Sequence, residues 1–410
     1  MCFGLRKPLR LPCSLSFDPR GTVIRLVTFL GGRVAFNRLE LAGAFGDIGT
    51  DLPLILGMVA INHLDPASVF IMFGVFQIFN GLRYGIPMPV QPLKAIAAIM
   101  IATKPDVSLL FGSGLSLGLM MLFLNVTGLV SKVDRWMPKG VVRGIQAGLG
   151  FSLMTIAVGY VQKDGLAGWV LAAAGVAFVL AMSRRGGFPT ALVLVLAGAL
   201  YAAFLGIDLG TISAGVGIHL PHFQVPTLDA VAQGTLLLSL QQLPLSIANS
   251  VIATSLLVSD LFPSRRDITS KSISATYAGM NLIAPFFGGI PVCHGCGGLA
   301  GHYRFGARTG GSVIIYGSIY VIIGLFFASV VNELLKIFPF SVLGVILLFE
   351  GLTLLLLLKK VASDSNDLTV ALVVAFMVVA LPYGYLLGMV AGSALHLLLK
   401  GEKVKLEQAQ

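Results

Sequence analysis

The stretch that decides the reading is Ile86–Ala102, IPMPVQPLKAIAAIMIA. It sets three prolines in seven residues and then runs apolar, with one lysine, Lys94, at the join. The residue before a proline is pushed away from helix. The segment therefore predicts an extended lead-in and then a helix from near Pro92, a span over residues 89–103 that is short for a bilayer. A second stretch has the same form. PVQPLKAIAA begins at Pro89 and PVCHGCGGLA at Pro291, an offset of 202. PKGVVRGIQAG at Pro138 and PFSVLGVILLFEG at Pro339 repeat at an offset of 201. Two weak matches at nearly one offset point to an internal duplication.

The rest of the chain says what kind of protein holds these segments. Of 410 residues, 56% are hydrophobic and 11% charged, where a soluble chain carries roughly a quarter charged. Mean hydropathy is +0.91. Runs such as Ser108–Val130, Leu166–Met182 and Val342–Leu358 are each about the length that crosses a hydrocarbon core. The expected class is an all-α polytopic membrane protein with the lipid bilayer as its solvent. A net charge of +10 then bears on orientation, with no nucleic acid implied.

Apolar runs read against breakers give about fourteen segments: 39–61, 66–84, 89–103, 107–130, 138–160, 166–183, 188–206, 232–260, 267–287, 292–302, 310–331, 339–358, 367–381 and 384–400. With a cytoplasmic N-terminus, even-numbered connections and both tails hold 24 of the 28 Lys/Arg. The other side receives Lys104, Lys163 and Lys336, and Lys94 is left over. The alternation holds to the end, so the count and two cytoplasmic termini are expected; which membrane is occupied is left open. Residues 1–38, with seven Lys/Arg and the single acid Asp18, read as a basic cytosolic arm against anionic lipid. An organelle transit peptide and an upstream start-site artefact are the alternatives. Residues 401–410 read as a short cytosolic tail.

Fourteen halves into seven, an odd number, so two copies cross in opposite senses, the inverted-repeat plan of many secondary transporters. The copies would be residues 39–206 and 232–400. The short third and tenth spans would aim their N-termini at each other near the midplane, where free N–H groups and positive dipole ends favour an anion. Lys94 lies at one of those tips. A cation there opposes the helix dipole and costs about 2.5–3.5 kcal/mol in lipid on insertion scales. Both costs fall if a multivalent anion sits in front of it. The alternative is a structural ion pair with Asp47, Asp51 or Glu350.

Other residues fall around this gap. In LAGAFGDIGTDLPLIL, Asp47 and Asp51 are spaced i,i+4, on one helical face; carboxylates inside a bilayer are functional candidates. Asp47 is the expected proton-carrying or lysine-pairing group; Asp51 is either a second intramembrane carboxylate or, on the plainer reading, near the hydrated outer end. QQLPLSIANSVIATSLL offers Gln241, Gln242, Ser246, Asn249, Ser250 and Thr254 as neutral polar groups, with Pro244 expected to break the helix. Asn249 falls opposite Asp47 at the repeat offset; it is either near substrate or an interhelical hydrogen-bonding residue. In PVCHGCGGLAGHYRFGARTGG, Gly295, Gly297 and Gly298 let backbone approach a ligand. His294 would donate to an oxyanion, titrate, or serve packing. Glu350 is structural or a coupling site. His219 and His222, in an outer connection, read as exposed. The four cysteines, Cys2, Cys13, Cys293 and Cys296, form no disulfide framework, and Cys293-x-x-Cys296 lacks a second ligand pair for zinc. No metal and no cofactor are expected.

The segments LAGAFGDIGTDLPLIL, YGIPMPVQPLKAIAA, VVRGIQAGLGF, LPLSIANSVIATSLLVSDLFP and PVCHGCGGLAGHYRFGARTGGS resemble the signature segments of the molybdate transporter family of the sulfate permease (SulP) superfamily, over most of Leu39–Leu399. The resemblance implies a seven-plus-seven inverted repeat. Core spans would lie in 39–131 and 232–331, and gate spans in 138–206 and 339–400, with elevator-like alternating access. It implies a substrate site at the starts of spans 3 and 10 drawing on Asp47, Gln91, Lys94, Asn249, His294 and Gly295, and no STAS domain after the last span. The sequence departs from the family wording at Cys296, where alanine is expected, and at Asp51, where tyrosine is common.

The expected function is a secondary active transporter importing a tetrahedral oxyanion, molybdate first. Substrate contacts would be Gln91, Lys94, Asn249, His294, Gly295 and Gly297, and coupling residues Asp47 and Glu350. Moving a dianion into a negative interior costs about 2.3 kcal/mol per charge per 100 mV, so proton symport is expected. A homodimer is a candidate assembly. A sulfate transporter of the same fold and an anion channel are the alternatives. Lys94 speaks against a nucleobase carrier, and no nucleophile–base pair suggests an enzyme.

Overall fold

Short polar side chains start many of the helices. Asn37 accepts from Leu39 N and Glu40 N at the head of α1 (Arg38–Ala44). Asp65, followed by Pro66, caps α3 (Pro66–Tyr84), and Asp106 caps α5 (Val107–Val126). Thr269 and Ser272 close a capping box on α10 (Ser270–Ile283), and Asp364 caps α14 (Ser365–Ala380). Each supplies an acceptor to first-turn N–H groups that no helix satisfies internally.

The computed structural model describes residues 26–29, 34–130, 132, 138–182, 190–206, 210 and 215–408. The expectations for the basic arm as far as Arg25, for Cys2 and Cys13, and for Arg135, Arg184 and Arg185 lie outside the described residues. The remaining elements are β1 (Leu26–Phe29) and β2 (Val34–Phe36), an antiparallel pair; α2 (Ile48–Asn62); β3 (Gln91–Pro92); α4 (Lys94–Thr103); α6 (Lys139–Lys163); α7 (Gly165–Met182); α8 (Thr190–Gly206); α9 (Leu228–Leu261); β4 (Val292–Cys293); α11 (Cys296–Arg304); α12 (Gly311–Ile337); α13 (Phe340–Leu355); and α15 (Gly384–Gln408).

Every apolar segment read from the sequence carries helix. Among the described residues, seven helices are long and apolar enough to cross a membrane alone: α3, α5, α6, α7, α9, α12 and α13, the last with its continuation to Lys360. The bent pair α1–α2 adds an eighth candidate, and four shorter apolar helices fall in Lys94–Thr103, Thr190–Ala202, Ser365–Ala380 and Gly384–Lys400. The chain is an integral multi-pass membrane protein. Its outward apolar faces fit lipid: α7 shows Leu166, Trp169, Val170 and Leu180 at its surface, and α8 shows Leu196, Leu200 and Phe204.

Inside, α3 packs along α12, and α6 packs against α13 and α14. Helix α5 packs against α10 and the start of α9. The short helices sit among other elements: α4 lies against α2, α6 and α9, and α11 against α1 and α9.

Two sequence expectations are corrected. The first span is not one helix: α1 and α2 meet at a 43° bend through Phe45–Asp47. Nor does Pro244 break the eighth span. Residues Leu228–Leu261 run on as helix, and Pro244 sits inside it. The coil widens to π-type winding at Thr235–Ser239 and Ser246–Ala253, either side of the proline. Wider turns make room for the ring and for the carbonyl it leaves without a donor.

Candidate functional site

The two proline-led segments meet. Strands β3 and β4 pair antiparallel, Gln91 opposite Cys293 and Pro92 opposite Val292, and Leu93 N donates to Pro291 O at 3.2 Å. A side-chain amide brackets each strand from behind. Gln77 Nε2 donates to Val90 O at 2.8 Å and its Oε1 accepts from Val90 N at 3.1 Å. Asn281 Nδ2 donates to Val292 O at 2.6 Å and its Oδ1 accepts from Val292 N at 2.9 Å. Buried backbone on a two-residue strand has no ladder to complete its hydrogen bonds; these amides complete it, in the same way on both sides.

His294 belongs to this support. It is fully buried, with Nδ1 3.1 Å from Pro89 O, Nε2 2.8 Å from Thr276 Oγ1, and its ring edge-on to Tyr84. Both ring nitrogens are engaged in tying β4 to the Pro89 segment and α10, so the structure does not bring His294 to the open side.

Lys94 is the first residue of α4. Its Nζ donates to Glu350 Oε1 of α13 at 2.6 Å, with the two side chains only 10% and 18% exposed. Of the three partners the sequence left open, the ion pair is with Glu350. The next two N–H groups, of Ala95 and Ile96, both donate to Gln242 Oε1 of α9, at 2.9 and 3.3 Å. Gln242 is itself fixed through Nε2 to Ser246 Oγ, 3.1 Å away, and Ser246 to the Tyr277 hydroxyl at 2.7 Å. The first turn of α4 is thus capped by a residue nearly 150 positions away.

Asp47 lies in the α1–α2 bend, just before the first residue of α2, and both its oxygens accept from Gln91 Nε2 at 2.7 Å. As the i,i+4 spacing suggested, it stands one helical turn before Asp51, whose N–H donates to Asp47 O at 3.2 Å. Asp51 is not at a hydrated end. It is 0% exposed, receives one long hydrogen bond from Tyr316 Oη at 3.4 Å, and its Oδ1 has no partner. Tyr320 continues that hydroxyl pair at 3.0 Å.

The start of α11 explains its glycines. A Cβ on Gly298 would stand 2.0 Å from Asp47 Oδ2, and one on Gly295 would stand 1.7 Å from Gln91 Oε1. At these two positions the Asp47–Gln91 pair occupies the space a side chain needs. Gly297, between them, is exposed, and its Cβ would meet nothing within 4 Å. Cys296 and Asn249 are half-buried beside it, with Cys296 Sγ donating to Asn249 Oδ1 at 3.3 Å. Gln146 Nε2 reaches the same oxygen at 3.3 Å, and Arg143 Nη1 donates to Gln146 Oε1 at 2.7 Å.

The structure therefore brings Asp47, Gln91, Lys94, Asn249, Gly295, Gly297 and Glu350 into one neighbourhood at the β3–β4 crossing, with His294 behind it. Sequence reading missed Gln242 as a cap and Arg143 and Gln146 as neighbours. The only signal for the last two was their presence in the quoted VVRGIQAGLGF. Among the described residues no group of three or more His, Cys, Asp or Glu is placed to hold a metal.

The family model described as "Molybdate transporter of MFS superfamily" matches residues 39–153 and 234–354. The chain belongs to the molybdate transporter family. The two matched blocks contain the two segments that pair as β3 and β4. Molybdate transporter 2 of Arabidopsis thaliana is 33% identical over 407 residues, covering 88% of this chain and 87% of that protein. Molybdate transporter 1 of the same plant is 32% identical, with 88% of each covered. Molybdate transporter 1 of Chlamydomonas reinhardtii is 28% identical, covering 87% and 91%. This is a transporter family, which answers the enzyme alternative.

The fold is shared with anion transporters. Murine Slc26a9 in the inward-facing state superposes with a TM-score of 0.67 at 14% identity, over 89% of this chain and 68% of that one. A second SLC26A9 structure gives 0.64 at 14%, and this chain spans 64% of its length. The transmembrane domain of the cyanobacterial bicarbonate transporter BicA gives 0.60 at 18%, over 87% of this chain and 97% of that domain.

Proposed function

We propose that the chain is a secondary active transporter importing a tetrahedral oxyanion, with molybdate the first candidate, and that Lys94 is its principal substrate contact. The observation that carries this is the Lys94–Glu350 pair. A lysine at the tip of a short intramembrane helix is held by a carboxylate oxygen where an oxyanion oxygen would sit. Glu350 acts as an internal stand-in, displaced when substrate loads. Gln91, Asn249 and the backbone at Gly295 and Gly297 complete the contact surface, and His294 holds the crossing from behind.

Coupling follows from charge. Asp47, Asp51 and Glu350 surround a single lysine, so an arriving dianion meets more negative than positive charge. Protons taken up by Asp47 and Glu350 would offset that repulsion and drive entry against a negative interior, where each charge costs about 2.3 kcal/mol per 100 mV.

The architecture proposed is fourteen spans in a seven-plus-seven inverted repeat of the SulP type, residues 39–206 and 232–400. The core would be 39–131 with 232–331, and the gate 138–206 with 339–400. The matching amide brackets at Val90 and Val292 support the repeat. The likeness to SLC26A9 and BicA supports the type. Lys94 would lie on the core and Glu350 on the gate, so an elevator-like slide of one past the other would part them. The distribution of Lys and Arg supports cytoplasmic termini, with residues 1–38 as a basic arm.

The test is thermal stabilisation of the purified protein by molybdate, tungstate, sulfate and phosphate, followed by labelled molybdate uptake into proteoliposomes with and without a proton gradient. Molybdate-selective stabilisation and gradient-driven uptake are expected. Sulfate preference would change the substrate; uptake indifferent to the gradient would remove the proton.

A further inference from the structure

We infer that Arg143, on α6, is a second cation of the oxyanion site, facing Lys94 across the opening in front of α11 and positioning the anion between the two helices. The inference rests on the oxyanion-transport reading and adds a residue to it.

Arg143 is half-buried on an apolar helix, yet among the described residues it has no carboxylate partner. Lys94, by contrast, is paired with Glu350. Among the described residues the Arg143 side chain makes one hydrogen bond, Nη1 to Gln146 Oε1, 2.7 Å away and one turn along the same helix. A guanidinium carries five N–H donors in a planar fork, so most are left for something else. That contact also aims it. Gln146 is 3% exposed and donates in turn to Asn249 Oδ1, which takes the Cys296 thiol as well. The chain Arg143–Gln146–Asn249–Cys296 runs from α6 through α9 to the first residue of α11.

Cys296 marks one wall of the proposed site: it ends that hydrogen-bonded chain at the head of α11, next to Gly297. The neighbouring Gly297 is exposed with room for a side chain. A tetrahedral dianion in that space would meet an ammonium from α4 and a guanidinium fork from α6. Arginine suits this role because two of its parallel N–H groups match two oxygens of one oxyanion, a geometry lysine does not offer. It also adds positive charge to a site that sets Asp47 and Glu350 against Lys94.

The experiment compares wild type, Arg143→Gln and Arg143→Lys in proteoliposomes, by labelled molybdate uptake across a concentration series and by melting temperature with and without molybdate. A lost charge-assisted contact raises half-saturation about tenfold or more. That is expected for Arg143→Gln, with the ligand-free melting temperature unchanged and the molybdate-induced rise reduced. Arg143→Lys is expected to recover most of the charge effect and remain about threefold weaker, the share owed to the fork. Wild-type half-saturation in Arg143→Gln overturns the inference alone. So does a lower melting temperature and maximal rate at unchanged half-saturation, which would mark a structural residue. A wild type that moves no oxyanion overturns the transport reading and the inference with it.

Discussion

Lys94 and Glu350 are 256 residues apart in sequence and 2.6 Å apart at their charged atoms. The pair joins α4, which is only ten residues long, to α13, and it is largely shielded from solvent. Removing one partner of a fully buried pair costs 3–5 kcal/mol; at this residual exposure about 1–3 kcal/mol is expected for Lys94→Ala. Glu350→Gln keeps a hydrogen-bond acceptor for Nζ and removes the competing charge. It should lower the melting temperature less than Lys94→Ala does, and it should strengthen stabilisation by molybdate. Lys94→Ala should insert in the membrane and abolish uptake. Wild-type uptake in Lys94→Ala would discard the lysine as substrate contact.

The same pair shows where sequence reading stopped. Apolar runs of span length, read against breakers, made most helices legible, Pro66–Tyr84 to the residue. The paired tips at Pro89 and Pro291 were legible because proline and glycine interrupt apolar sequence in only a few ways. Which carboxylate Lys94 meets was not, since Asp47, Asp51 and Glu350 all fall within apolar segments and only packing selects among them. Pro244 misled because proline opposes regular α-helix, whereas wider winding absorbs it. Arg143 was legible only as a charge near a helix end; its aim depends on Gln146, three residues on, and on Asn249 from another helix.

Asp51 offers a test of stability alone. It is fully buried, its Oδ1 has no partner, and Tyr316 supplies a single hydrogen bond at 3.4 Å. Burying a charge with so few donors costs several kcal/mol. Asp51→Asn keeps the shape and removes the charge, so the melting temperature should hold or rise by a few degrees. A clear drop in detergent-solubilised thermal unfolding would mean Asp51 is held by more than the Tyr316 contact.

The three glycines at the head of α11 should separate cleanly. Gly298→Ala places a methyl against Asp47 and Pro89, and Gly295→Ala places one inside the Gln91 amide. Neither neighbour can retreat without giving up the Asp47–Gln91 hydrogen bonds. Overpacking of this kind costs about 1–3 kcal/mol, and both variants should melt lower and lose uptake. Gly297→Ala meets nothing and should melt as wild type does, with any effect confined to half-saturation. Equal losses of thermal stability in all three would show that the open side at Gly297 is filled.

Gln242 ties the cap of α4 to α9, and its two neutral roles can be split. Gln242→Leu strips the acceptor from Ala95 N and Ile96 N, which are buried beneath it. Each unsatisfied buried donor costs about 1–3 kcal/mol, so this variant should melt well below wild type. Gln242→Glu keeps an acceptor for both N–H groups and places negative charge at a helix N-terminus, where it is tolerated. Its melting temperature should stay near that of wild type. The added charge stands one residue from Lys94, however, so oxyanion binding should weaken about tenfold, the effect of roughly 1.4 kcal/mol. Molybdate titrations of the two variants, followed by thermal shift, separate the roles. If Gln242→Glu folds and binds molybdate as tightly as wild type, the anion does not sit at the tip of α4.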